Sequence, residues 1–144
     1  MRLWHKNLIE YLPDNQLRGQ WRECILIVNE MKRNGTPNHL LVNKITEYSI
    51  DELYTYCILI HAEMKKRDFK TTEKSVKSIY ELLGNVVDVS EIFKGWHNKQ
   101  YLRVCMANLY EKHIFGVGKS RITDTEWIRL CDGYKMVAGE EYAI

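Results

Sequence analysis

The chain has 144 residues, a formal net charge of +2, a hydrophobic fraction of 45% and a charged fraction of 28%. That length fits one domain, which buries roughly two thirds of its unfolded surface and so needs neither a metal nor a disulfide as a staple. No apolar run approaches the length of a membrane span, and the charge balance permits a nucleic-acid partner without requiring one.

Apolar spacing predicts helix along most of the chain. In the first helix Leu17, Trp21, Cys24, Val28 and Met31 form one seam. Asp14, after Pro13, is the expected N-cap, and Asn34-Gly35 is the expected stop. The segment HLLVNKITEY at 39–48 is the one strand candidate and reads as an extended connection. Ser49-x-x-Glu52 is a capping box that opens a second helix through Leu53, Cys57, Ile60 and Met64, closed by KKRD. Thr72 caps a third helix through Val76, Ile79, Tyr80 and Leu83, with Gly84 ending it. A fourth carries Leu102, Met106 and Leu109 and ends at Gly116. Thr123-x-x-Glu126 is a second capping box and opens a short helix with Trp127, Leu130, Cys131 and Tyr134. The expected fold is all-α, a compact single domain of four to five helices spanning residues 1–144.

Cys24, Cys57, Cys105 and Cys131 are widely spaced and read as free thiols. His5, His39, His61, His97 and His113 show no metal-ligand spacing, so no metal is expected. The opening MRLWHKNLIEYLPD lacks an apolar signal core and a small-residue cleavage site, so the expected compartment is the cytoplasm.

The first helix holds an odd arrangement, LRGQWRE at 17–23. On a helical wheel centred on Leu17, Arg18 and Arg22 fall roughly 100–140° to one side. Glu23 falls roughly 120° to the other, beside Gln16, Gln20 and Ile27. Arg22 and Glu23 therefore do not pair. Gly19 costs about 1 kcal/mol relative to Ala, which close approach of a backbone or ligand beside Glu23 would justify. The plainer reading is a solvated glutamate and a tolerated glycine. Met1 is followed by Arg2, and a large second residue is expected to keep the methionine and its free α-amine. An α-amine titrates near 7.7–8.0, against about 10.4 for lysine, so a chain terminus offers a neutral amine nucleophile without burial.

MRLW at the start, LPDNQLRGQWRE at 12–23, EMKKRDF at 63–69 and NLYEK at 108–112 together resemble the pyrimidine-dimer DNA glycosylases of the phage endonuclease V family. The closest likeness is in the first 23 residues, at Leu12, Asp14, Leu17, Arg22 and Glu23. The resemblance implies a base-excision repair enzyme, both glycosylase and abasic-site lyase, without metal or cofactor. Its partner would be double-stranded DNA carrying a damaged base or an abasic site. The Met1 amine would attack the sugar's anomeric carbon and form a Schiff base, with Glu23 stabilising positive charge and moving protons. Arg2, Arg22, Arg18 and Lys112 would bind DNA. The chain departs from the family pattern at Gln16, Leu26 and Asn108, where the family has His, Arg and a further basic residue. Of the aromatic tail, only Trp127 and Tyr134 remain.

Other signals read more plainly. GVGKS at 116–120 resembles a phosphate loop but lacks its first glycine and a preceding strand. Lys119 and Arg121 are candidates for phosphate contact. Trp4 and Trp21 are candidates for stacking on a base, and Trp21, on the seam, reads rather as core. The alternatives to an enzyme are a non-enzymatic helical DNA-binding module and a helical protein-interaction domain. The expected assembly is a monomer without a membrane anchor.

Overall fold

The computed structural model describes residues 1–82 and 88–144. Among these residues the chain is all-α. Its helices are α1 (Asp14–Asn34), α2 (Ile50–Lys66), α3 (Glu73–Leu82), α4 (Lys99–Phe115) and α5 (Asp124–Ala138), joined by 3-10 turns at Lys6–Tyr11, Asn43–Glu47 and Gly118–Ser120. Contacts divide the chain into two compact units. One combines Met1–Leu3 with Arg18–Lys94, and the other combines Trp4–Leu17 with Gly95–Ile144.

The helix signals of the sequence operate as expected in both units. Glu52 Oε2 accepts from the Ser49 amide at 3.2 Å, and Thr123 Oγ1 accepts from the Glu126 amide at 3.2 Å while Glu126 returns a bond to the Thr123 amide. Thr72 Oγ1 accepts from the Ser75 amide at 3.1 Å. Gly35, at φ +72, takes the left-handed position after α1 that a side chain would strain. Leu83 and Gly84, expected at the end of the third helix, lie outside the described residues.

Three expectations are corrected, and one element is new. Asp14 is not the cap of α1 but part of its first turn, because the helix already begins with the Leu17 amide bonded to the Pro13 carbonyl at 3.0 Å. The 39–48 segment is not extended. It forms a turn and then a 3-10 helix, stapled by Asn43 Oδ1, which accepts from the His39 amide at 2.8 Å. The last helix is not short, with 15 residues against 17 in α4. The Lys6–Tyr11 turn was not foreseen; His5 caps it by accepting from the Asn7 amide.

In the first unit α1 turns Trp21, Cys24, Ile27 and Val28 inward, and α2 contributes Tyr56 and Ile60. In the second unit the 3-10 turn at Lys6–Tyr11 packs on α5, and α5 packs on α4. There the Tyr11 ring fills the space a Cβ at Gly133 would occupy, so only glycine permits that approach. Among the described residues, no helix is long and apolar enough to cross a membrane.

Candidate active site

The amino end of the chain is tied to α1 within the first unit. The Arg2 amide donates to Glu23 Oε2 at 3.3 Å. Gln20, one turn before Glu23, donates from Nε2 to the same carboxylate oxygen at 3.1 Å and to the Arg2 carbonyl at 2.9 Å. Its Oε1 accepts from the Tyr56 hydroxyl at 2.9 Å. This network fixes which way the amide faces, because a carboxylate and a carbonyl only accept and must meet the NH2 group. Gln20 is 1% exposed and Tyr56 fully buried. One buried amide thus sets the carboxylate of Glu23 against the first peptide bond, while Met1 remains 37% exposed beside it.

Helical geometry explains why these groups meet. Gln16, Gln20, Glu23 and Ile27 follow one another at intervals of three or four residues on one flank of α1. The wheel placed that flank away from the seam, and the structure buries it. Gln16, Gln20 and Ile27 are buried and Glu23 is half-buried. The plain reading of a solvated glutamate is therefore wrong.

At Gly19 the expected close approach of another backbone is not found among the described residues. A Cβ there would meet only the Arg22 guanidinium at 3.7 Å, ordinary contact, so no backbone crowds the position. Glycine at 19 is not explained by close packing.

Arg18 and Arg22 occupy the other flank. They line a cleft of about 420 Å³ together with Trp21, Phe69, Lys70 and Ser75. The Arg18 guanidinium lies 4.0 Å above the centre of the Phe69 ring, a cation–π arrangement that holds it at the cleft. Trp21 is core as expected, 5% exposed, and stacks on His61 with ring centres 5.0 Å apart. Trp4 is 7% exposed, buried rather than displayed. Lys112 belongs to the second unit, in the last turn of α4. Met1, Arg2 and Glu23 are thus brought together, and Arg18 and Arg22 share a separate cleft.

Sequence reasoning missed Gln20 and Tyr56 in this network. The available signal was the spacing of Gln20 from Glu23, which puts both on one helix face. The partner 36 residues away had no signal of its own.

The opening segment thus docks on one flank of α1, while Arg18 and Arg22 line a cleft on the other. The chain belongs to the pyrimidine dimer DNA glycosylase family, whose model matches residues 1–76, just over half of it. It is accordingly a DNA glycosylase of DNA repair that acts on damaged DNA. The matched region contains Met1, Arg2, Arg18, Arg22 and Glu23, and stops within α3. No curated protein and no solved structure matches the chain.

Proposed function

We propose that the protein removes UV-induced pyrimidine dimers, or a closely related lesion, from double-stranded DNA and then cuts the strand through a Schiff base on the Met1 amine. The observation that carries this reading is the Arg2 amide bonded to Glu23 Oε2, which brings the carboxylate to the first peptide bond of the chain. With Met1 as the amino end, a nucleophile and an acid–base group share one small site on a buried support.

The chemistry follows from those two groups. The neutral amine attacks C1′ of the damaged nucleotide, forming a C–N bond as the bond to the base breaks and the base leaves with the electron pair. Ring opening gives an imine. The iminium withdraws electrons from C2′, a base takes the C2′ proton, and the C3′–oxygen bond breaks with the phosphate as leaving group. Glu23 is the proton carrier and the counter-charge to the sugar cation and the iminium. Arg2, Arg18, Arg22 and Lys112 contact phosphates of the duplex. No metal or cofactor is needed for any of these steps.

Borohydride reduction of the enzyme mixed with abasic or UV-irradiated duplex tests the proposal. A covalent adduct mapped by mass spectrometry to the Met1 nitrogen is the expected result. Binding to damaged DNA without an adduct would replace this mechanism with one lacking a Schiff base.

A further inference from the structure

The last residues of α4 and the loop that follows display large apolar side chains in a way the reading above does not use. Phe115 is 78% exposed, Val117 80% and Ile114 49%. From residue 112 to residue 123 the sequence holds Lys112, Lys119 and Arg121 and no carboxylate. The family match ends at residue 76, so it accounts for none of this segment.

The loop is held rigidly from below. A Cβ at Gly116 would overlap the Lys112 carbonyl and come within 2.8 Å of Arg121 Cα, so only glycine allows the chain to turn back so tightly. The Ile122 amide bonds to the Lys112 carbonyl at 3.4 Å, and His113 Nδ1 meets the Ile122 carbonyl at 2.9 Å. Gln16 and Asn15, from the start of α1 within the same unit, donate to the carbonyls of Ser120 and Lys119 at 3.1 and 3.0 Å. Ser120 Oγ donates to the Val117 carbonyl at 2.8 Å. A loop fixed by so many bonds does not fold its apolar side chains inward. It presents them, with cations on the same short segment.

We propose that Phe115 and Val117 form a wedge that enters the base stack of duplex DNA at the lesion, while Lys119 and Arg121 hold the flanking phosphates. The charge of the segment selects a polyanion, and the exposed ring supplies the apolar face that unstacked bases take up. A damaged step is already weakly stacked, so the wedge enters there at lower cost than in intact duplex. This inference rests on damaged duplex DNA being the substrate, but not on Met1 or Glu23.

The experiment uses the full chain and a duplex with 2-aminopurine beside an abasic site. The native protein is expected to raise 2-aminopurine fluorescence as the base unstacks. Phe115→Ala is expected to abolish that rise and weaken binding roughly five- to a hundredfold, in line with the loss of a base-stacking ring. Phe115→Trp is expected to retain both. Lys119→Gln and Arg121→Gln are each expected to lower the log–log salt slope by about one. Because Phe115 is exposed, its replacement leaves the core intact. Native binding without a fluorescence rise, or unchanged binding by Phe115→Ala, overturns the wedge. So does a stable dimer in sedimentation that Phe115→Ala dissolves, which would make the patch an interface between copies. Borohydride trapping on the same duplex reports separately on the Schiff base. Trapping by a protein that shows no fluorescence rise removes the wedge alone.

Discussion

The Arg2 amide and the Glu23 carboxylate lie 3.3 Å apart, donor to acceptor, and the Gln20 side chain bonds to both residues. Two N–H groups converge on one oxygen of Glu23, which fixes its orientation toward the amino end. The carboxylate that would stabilise a cation at the amine is therefore oriented by neutral groups.

Glu23→Gln keeps the size of the side chain and removes its charge. Strand cleavage of abasic duplex is expected to fall about 10²–10³-fold, typical for loss of one charge-stabilising group, while DNA binding is retained. Circular dichroism and single-turnover cleavage on the same preparation check this. Cleavage at the native rate by a folded variant would take Glu23 out of the chemistry.

Gln20 is expected to act through Glu23 as a positioning residue. Gln20→Leu removes the bonds to Glu23, Arg2 and Tyr56 together and is expected to lower kcat more than it raises KM. It should also destabilise the fold by about 1–3 kcal/mol, because polar groups that Gln20 satisfies inside the protein lose a partner. Gln20→Glu puts two carboxylates side by side, so its activity is expected to recover at lower pH, a shift that loss of packing alone would not cause. Urea unfolding together with a pH–rate profile separates the two effects.

Much of the scaffold was legible from local rules. Ser49 with Glu52, Thr123 with Glu126 and Gly116 each act within a few residues, so the sequence carries their signals intact. The Lys6–Tyr11 turn was hidden because Leu8, Ile9 and Leu12 bury on a 3-10 spacing cut short by Pro13, too brief to show a period. The site was half legible. Met1, Arg2 and Glu23 were singled out through a family pattern, whereas the burial of Gln20 depends on Tyr56 and Arg2, contacts that no local period encodes. The wheel left a solvated Glu23 open as the plainer alternative, because a wheel centred on Leu17 cannot tell which flank the amino end will cover.

Arg22→Gln and Arg18→Gln test the cleft. Each phosphate contact contributes about one unit to the dependence of log binding on log salt. Arg22 is exposed at the cleft, and its replacement is expected to lower the slope by about one and weaken binding to damaged and undamaged duplex alike. Arg18 also packs on Phe69, so Arg18→Gln is expected to cost some stability as well. An unchanged slope for Arg22→Gln removes that residue from the DNA interface.

The seam of α1 is consumed by the protein's own core, which leaves no long apolar face of that helix for self-association. The protein is expected to be a monomer at micromolar concentration. Light scattering that shows a stable dimer or larger species would contradict this.

The histidines of the second unit make stability depend on pH. His97 accepts from the Lys6 amide at Nδ1, 3.0 Å away, and its ring centre lies 5.2 Å from that of His5. Burial holds the His97 pKa down to about 2, with His5 and Lys6 adding to the effect. Burial likewise lowers His5 to about 4. In the first unit His61 is also shifted down, chiefly by burial and then by Lys65. All three are depressed below the ordinary histidine value of 6.5. The unfolded chain therefore takes up protons at a pH where the folded chain does not. The stability these groups contribute is complete above about pH 6.5 and falls as pH drops toward their folded values. Between about pH 6.5 and 5 most carboxylates remain ionised, so the slope in that window reports the histidines. The urea midpoint is expected to change little between pH 7.5 and about 6.5 and then to fall steadily to pH 5. His97→Asn, which keeps an acceptor for the Lys6 amide and cannot titrate, is expected to flatten that fall. A midpoint independent of pH across this range would mean that His5 and His97 titrate normally in the folded protein.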